Sequence, residues 1–281
     1  MSDRIDPKFT IGDTDFSIQR MYRKGESAMK RPHTHSFYEI YYLLKGERVY
    51  FMNGNVYTVS KGELMFINPD DLHSTASSEV AEFERILVNF SHDFVSESDA
   101  HLASCLPFNE SGLIRLPVNE QPVIEQILMK MLKECEKQSP HYISYLRSLL
   151  VELLILIDRV SSANQDEAPN YAHPMHHKVS EIALFMNRNY EQSITLEQIA
   201  KTFYISPSYL SRIFKKLTGF HFSEYLQVVR IREAQKRLAG TKNSVQTISE
   251  QVGFAHIAHF NKTFKKLTDT TPLRYRKANK K

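Results

Sequence analysis

The chain has 281 residues, 42% hydrophobic and 24% charged, with a formal net charge of +4. That length allows two domains with a core each, and the composition is that of a globular protein. Two cysteines without a CxxC pair, Cys105 and Cys135, argue against a disulfide framework or a cysteine-based zinc site and fit a reducing compartment.

The charge is unevenly placed. Residues 1–163 carry 17 Lys+Arg against 23 Asp+Glu, a net −6, whereas residues 164–281 carry 19 against 9, a net +10. An acidic half joined to a basic half points to a polyanionic partner at the C-terminal end alone. The first residues, Met1-Ser2-Asp3-Arg4-Ile5-Asp6, have no apolar stretch of the kind a signal peptide needs. The most apolar run, Leu149–Ile157, is about half a membrane span and contains Glu152, so no membrane partner is expected.

Residues 8–90 read as strands. Ile40–Leu44, Arg48–Met52, Val56–Val59, Leu64–Ile67 and Glu82–Phe90 are rich in Tyr, Phe, Val and Ile. Turn residues separate them: Lys45-Gly46-Glu47, Asn53-Gly54-Asn55, Lys61-Gly62 and Asn68-Pro69-Asp70-Asp71. Asn53-Gly54 between two β-rich runs is a strong hairpin signal. Many short strands at close spacing predict a small barrel or jelly roll.

Within that region His33, His35 and Glu39 share strand parity, and His73 comes later. Three imidazoles and a carboxylate suit Fe, Mn or Zn. They equally suit a pocket that binds a small molecule directly, or hydrogen bonding inside the barrel. Tyr41, Tyr50, Arg20 and Tyr22 are further candidates for such a pocket, and core packing explains the tyrosines as well.

From about residue 120 the apolar period becomes helical: Val123, Ile124, Ile127, Leu128, Met131 and Leu132, then Leu146 to Val160 in a second helix over roughly Tyr142–Val160. That second stripe is wide enough to cover the barrel and to pair with another copy of the chain, so a homodimer is expected. Residues 161–170 are small and polar and contain Pro169, which predicts a linker over 164–173. His173, His176 and His177 come next and read as solvated linker histidines.

The C-terminal hundred residues contain one unit written twice. Phe214-Lys215-Lys216-Leu217-Thr218 returns as Phe264-Lys265-Lys266-Leu267-Thr268, fifty positions on. Leu210 matches Phe260 and Tyr225 matches Tyr275 at that offset, while Ile199, Phe203 and Ile205 match Ile248, Val252 and Phe254 at 49. In the first copy Thr195 caps a helix to Phe203, Tyr204-Ile205-Ser206 turns, and Ser206 with Pro207 opens a second helix to about Leu217. In the second copy Val245–Val252 is followed by Gly253 and by a helix over His256–Leu267. A long helix, Ser223–Leu238, joins them and carries Arg230, Arg232, Lys236 and Arg237.

Helical spacing puts Leu210, Ile213, Phe214 and Leu217 inward, and likewise Phe260, Thr263, Phe264 and Leu267. Ser208, Ser211, Arg212 and Lys215 lie outward in one copy; His256, Ile257, Ala258, Asn261, Lys262 and Lys265 do so in the other. A helix fits the major groove, where Arg212 can read guanine, Asn261 adenine, and Ile257 or Ala258 a thymine methyl. Lys215, Lys216, Lys265 and Lys266 are expected on phosphates, and Arg230 completes the expected DNA contacts.

The run Ile199-Ala200 through Ser206-Pro207-Ser208-Tyr209-Leu210-Ser211-Arg212-Ile213-Phe214, then Arg230-Ile231-Arg232-Glu233-Ala234, resembles the DNA-binding domain of the AraC/XylS transcription regulators. The likeness continues through Val252-Gly253-Phe254, His259-Phe260-Asn261-Lys262-Thr263-Phe264 and Thr271-Pro272-Leu273-Arg274-Tyr275-Arg276, and so covers about residues 178–277. The sequence departs from that family at His259, usually Tyr or similar, and at Lys262, usually Arg. His33-Thr34-His35, Glu39 and Gly46 resemble the first cupin motif. The second is partly kept: Gly62 and His73 are present, with Asn68, Asp70 and Ser77 where Pro, Gly and Asn are usual.

The resemblance implies a multidomain α and β protein. A cupin-like β-barrel with two trailing helices, 1–163, would sense an effector and dimerise. An all-α domain of two helix-turn-helix units joined by a long helix, 174–281, would bind double-stranded DNA. It favours a metal-free sensory pocket, with His33, His35, Glu39, Tyr41 and His73 as effector-binding residues, no catalytic residue and no cofactor. It further implies a cytoplasmic regulator that activates transcription and contacts RNA polymerase.

Overall fold

The computed structural model describes residues 3–279 except 14, 26, 28, 30, 31, 81, 107–109 and 164–172. It divides into two compact units, Met1–His173 and Pro174–Lys281. The linker expected over 164–173 lies, but for its last residue, outside the described residues.

The N-terminal unit is a nine-stranded antiparallel arrangement followed by helices. Its strands are β1 (Arg4–Ile5), β2 (Phe9–Ile11), β3 (Phe16–Lys24), β4 (Tyr38–Met52), β5 (Asn55–Ser60), β6 (Leu64–Ile67), β7 (His73–Ser77), β8 (Glu82–Phe90) and, after α1 (His92–Ser96) and α2 (Ala100–Ser104), β9 (Gly112–Ile114). The order is β1-β3-β8-β4-β6-β9, with β2 on β3 and with β5 and β7 on β4. The helices α3 (Gln121–Lys137) and α4 (Tyr142–Ala163) close the unit.

The two strands expected on either side of Lys45-Gly46-Glu47 are one strand. The first half of β4 pairs with β6 and β8, and the second half pairs with β5 and β7. Its register shifts between Leu43 and Lys45, so the expected turn is a bulge and a bend, which lets one strand serve both sheets. Gly46 sits there at φ +83°, where a Cβ would lie 2.0 Å from the Glu82 carbonyl oxygen. Asn53 (φ 50°) and Gly54 (φ 96°) make the expected tight hairpin between β4 and β5.

Strand alternation gives the sheet two buried faces. Tyr38, Ile40 and Tyr42 of β4 join Ile86, Val88 and Phe90 of β8 in a core shared with α3 and α4. Tyr41, Leu43 and Phe83 face the other way, into the barrel, with Tyr50, Met65 and Ile67. Leu146, Leu149, Leu150, Leu153, Leu154 and Ile157 of α4 are all buried within this unit. These residues pack on their own unit, whereas Val151, Ile155, Leu156 and Val160 are partly buried.

The C-terminal unit is all helical. It comprises α5 (Pro174–Asn189), α6 (Leu196–Thr202), α7 (Pro207–Thr218), α8 (Phe222–Gly240), α9 (Val245–Gln251), α10 (Ile257–Thr268) and α11 (Pro272–Ala278). Helix α5 corrects the reading of His176 and His177 as linker residues: both lie in its first turns, and His177 Nδ1 is 3.3 Å from Glu181 Oε2 one turn on. Val179, Ile182, Ala183 and Met186 give that helix its buried face.

The two copies turn alike. Ile205 N–H donates to Ala200 O at 2.9 Å, and Phe254 N–H donates to Ser249 O at 3.0 Å. Thr195 and Gln198 form a capping box on α6, and Ser206 Oγ caps α7 by accepting from Tyr209 N–H. Phe214 and Phe264 are fully buried. The expectation for Leu267 fails: Leu217 is 4% exposed but Leu267 is 42% exposed. Phe220 and Phe222, both buried, come after Leu217, whereas Thr270 and Pro272 hold those places after Leu267.

Candidate functional site

The barrel interior holds a cavity of about 320 Å³, at the small end of ligand pockets. Its lining comes from one face of each strand. Glu39 and Tyr41 from β4 lie opposite Asn89 and Leu87 of β8, and Arg85 lies two residues further along β8. Arg48 and Tyr50 enter from the second half of β4, Met21 and Arg23 from β3, and His33, His35 and Phe37 from the segment before β4. Of the five residues expected to bind effector, His33, His35, Glu39 and Tyr41 line the cavity. His73 stands behind them, its ring 4.5 Å from that of His33 and 4.9 Å from that of His35.

Tyr50 is in the lining as expected; Arg20 and Tyr22 are not. They have the opposite parity to Met21 and Arg23, so their side chains leave by the other face. There Arg20 pairs with Glu84 at 2.7 Å, and the Tyr22 hydroxyl donates to Glu82 at 2.6 Å. Nothing in the sequence marks Arg23, Arg48, Arg85 and Asn89 as lining residues. Both faces of β8 carry apolar residues, so parity alone does not reveal which one looks into a cavity.

The histidines are held in defined orientations. His33 and His73 exchange backbone hydrogen bonds at 3.1 Å in both directions. His35 Nδ1 is 2.8 Å from Phe37 O, and His73 Nδ1 is 2.9 Å from Asp71 O. A carbonyl only accepts, so each Nδ1 carries the proton and each ring presents Nε2 to the interior. His35 Nε2 is 3.3 Å from Glu39 Oε2, both side chains being buried. Burial alone would raise the Glu39 carboxyl, but the His35 hydrogen bond and the fields of His73, His35 and Arg85 outweigh it and hold it below the usual range. Burial pushes His33 and His73 down, towards neutral imidazole.

Ligand nitrogens of His33, His35 and His73 lie within 4.8 Å of one another. Imidazoles backed by backbone carbonyls are the donor set of a Zn, Fe or Mn site, so the residues present fit such an ion. The other end of the cavity is cationic. Arg48 is 4% exposed, donates to Ser27 O at 2.6 Å and Thr75 Oγ1 at 3.2 Å, and lies 4.3 Å over the Phe83 ring. The Tyr41 and Tyr50 rings meet edge to face at 5.0 Å, and burial pushes the Tyr41 hydroxyl up to about 12.

In the C-terminal unit, an open groove runs along α7, lined by Ser208, Ser211, Arg212 and Lys215. Arg212 is exposed over the Tyr209 ring, and Lys216 is exposed. On α10, His256, Ile257, Ala258, Asn261, Lys262, Lys265 and Lys266 are all exposed. Two expected contacts are engaged elsewhere. Arg230 Nε donates to Tyr190 O and Arg230 Nη2 to Gln192 O, both at 2.8 Å, which ties the loop after α5 to α8. Two of its donors, Nε and Nη2, are thus engaged within the unit. Lys215 Nζ donates to Gly219 O at 2.6 Å, closing the end of α7.

A family model described as an AraC-like ligand binding domain matches residues 22–154, and one described as a helix-turn-helix domain matches residues 199–278. The chain belongs to the AraC/XylS family. It is a DNA-binding transcription regulator that responds to an effector through its ligand-binding domain. It is 24% identical over 252 residues to the HTH-type transcriptional activator RhaR of Mannheimia succiniciproducens, covering 87% of this chain and 86% of that one. It is 26% identical over 246 residues to the activator RhaS of Klebsiella pneumoniae, covering 85% of each. Over 99 residues it is 36% identical to the bifunctional transcriptional activator/DNA repair enzyme AdaA of Bacillus subtilis, covering 35% of this chain and 47% of that protein. Among the described residues, no helix is long and apolar enough to cross a membrane.

Proposed function

We propose that this chain is a cytoplasmic activator of transcription that takes a small polyhydroxylated effector, a sugar or close derivative, into its barrel. The observation that carries the effector reading is the cavity, whose buried wall holds hydroxyl, carboxylate, imidazole and guanidinium groups beside Phe37 and Phe83. Polar groups convergent on an apolar floor suit a polyol. His33, His35, Glu39 and Tyr41 bind it, and His73 holds the imidazoles in place. Ser208, Ser211 and Arg212 of α7, and His256, Ile257, Ala258, Asn261 and Lys262 of α10, read bases; Lys216, Lys265 and Lys266 hold phosphates. Activation is supported by two relatives named as activators that align along most of both chains.

The protein acts as a homodimer, contacts RNA polymerase and has no enzymatic turnover. Effector binding changes operator affinity because it favours one arrangement of the two units over another. The test uses the full chain. Its preferred duplex is selected from random DNA, and binding is measured with and without a panel of sugars and sugar derivatives. An active effector shifts the operator Kd about fivefold or more. Absence of a selected site would sink the readout assignments, and an operator Kd indifferent to the whole panel would sink the effector reading.

The imidazole cluster supports a second reading, a metal-dependent cupin enzyme fused to a DNA-binding domain. That reading requires a stoichiometric redox metal retained through purification and a turnover lost in His35→Ala or Glu39→Ala.

A further inference from the structure

The cavity is electrostatically lopsided. Three arginines line it, Arg23, Arg48 and Arg85, and Glu39 is the one carboxylate among the described lining residues. That carboxylate is at the opposite end: it pairs across the sheet with Asn89, four residues along β8 from Arg85, and it is engaged by His35. Among the described lining residues, guanidinium groups outnumber carboxylates three to one.

The arginines themselves are incompletely satisfied. Arg85 makes no side-chain hydrogen bond and no ion pair among the described residues, and its buried Nη1 has no partner. Its guanidinium lies 5.4 Å over the Tyr41 ring. Arg48 is almost wholly buried, yet its two hydrogen bonds go to neutral oxygens and its Nε has none. The Tyr50 hydroxyl is buried beside them without a partner. A buried guanidinium facing neutral groups is costly, and it is relieved when a planar or tetrahedral oxyanion accepts from it.

Resting on the effector reading above, we propose that the effector is an anion: a polyol of about hexose size bearing a carboxylate or a phosphate. Its charged group sits on Arg48 and Arg85 with the Tyr50 hydroxyl. Its hydroxyls face Glu39 and Asn89, and its apolar edge lies on Phe83. The shared chemistry is the oxyanion; sugar acids and sugar phosphates are its two sources.

The experiment is thermal melting of the full-length protein at fixed ionic strength. The probes are hexuronates and aldonates of the common hexoses, the matching 6-phosphates and the parent neutral sugars. Wild type is compared with Arg85→Met and Arg48→Met. At least one acid or phosphate is expected to raise Tm by several degrees at a hundredfold excess over Kd, with the parent sugar inert. Which of the two series responds identifies the source of the oxyanion. Arg85→Met is expected to leave the ligand-free Tm close to that of wild type, because the half-buried Arg85 makes no hydrogen bond or ion pair among the described residues, and to weaken the anion about tenfold or more.

A neutral sugar that stabilises wild type and Arg85→Met alike would overturn the anionic effector while leaving the effector reading intact. An anion response that survives both methionine variants would place the anion elsewhere and overturn it too. A ligand-free Arg85→Met that melts many degrees lower would make Arg85 a structural residue and overturn its place as an anion-binding group. Silence across the whole panel, neutral and charged, would remove the effector reading together with this one.

Discussion

The two helix-turn-helix copies use one pattern under different constraints. In the first, the turn carries Tyr204 at φ +55° and 92% exposed, with open space for its side chain. In the second, Gly253 holds the equivalent place at φ +87°, where a Cβ would lie 2.7 Å from Glu191 O and 2.8 Å from Tyr190 O. The difference comes from outside the motif. The Tyr190–Gln192 loop, held by Arg230, is packed against the second turn. The outward faces differ as well. Ser208, Ser211 and Arg212 in α7 become Ala258, Asn261 and Lys262 in α10, so the first copy presents hydroxyls and a guanidinium, and the second a methyl, an amide and an ammonium. Repetition fixes the scaffold, and the neighbours and the outward positions make the copies distinct.

The strongest way to break this comparison is to attack what the copies share. Phe214→Asp and Phe264→Asp each bury an unpaired charge and should cost about 4 kcal/mol or more, unfolding the copy concerned. A native-like melting curve for either would refute its place in the core. Next come the faces that differ. Arg212→Ala should cost about 1–3 kcal/mol at the preferred site and relax selectivity at one base pair, and Asn261→Ala should do the same at a different base pair. Binding selections on the variants test this, and a loss at the same position in both would mean that the two helices do not read separate parts of the site.

The turns sharpen the contrast at smaller magnitude. Gly253→Ala should lose more than about 1 kcal/mol, since the positive φ and the facing carbonyls both resist a methyl group. Tyr204→Ala should stay within about 0.5 kcal/mol. Equal Tm changes in the two would show that the loop after α5 does not press on the second turn. Smallest is the effect on phosphate contact. Lys265→Ala should weaken all sequences alike and reduce the salt slope by about one, whereas Lys215→Ala, whose ammonium is tied to Gly219 O, should change it less. A sequence-selective loss in Lys265→Ala would contradict the phosphate assignment.

Much of the fold is legible in the sequence because its signals are local. Asn53-Gly54, Thr195 and Ser206-Pro207 specify a hairpin and two helix starts by chemistry within a few residues. The repeat locates the helices, because apolar spacing in one copy checks the other. The illegible parts depend on distant partners. Leu267 repeats Leu217 but is exposed, and the sequence beyond the repeated string differs, with Thr270 and Pro272 where the first copy has Phe220 and Phe222. Gly46 reads as a turn, and only the Glu82 carbonyl opposite makes it the bend of a continuous strand. Arg230 looks like a surface cation until the Tyr190 and Gln192 carbonyls meet it. In the barrel, His33, His35 and Glu39 are visible by spacing, while Arg48 and Arg85 are hidden because both faces of their strands are apolar enough to be core. Helix α5 has a readable period in Val179, Ile182, Ala183 and Met186, but His173, His176 and His177 at its start mimic metal and linker chemistry.

The histidine tautomers bear on handedness. His35 and His73 each give their Nδ1 proton to a backbone carbonyl two positions away. Neither ring can flip without losing that bond, so the acceptor end of the cavity is fixed by the main chain. The cationic end is fixed as firmly, because Arg48 is held by Ser27 and Thr75. If the proposed effector binds there, it would meet two unlike ends and an aromatic floor, and its epimers and enantiomers are expected to be poorer substitutes for it.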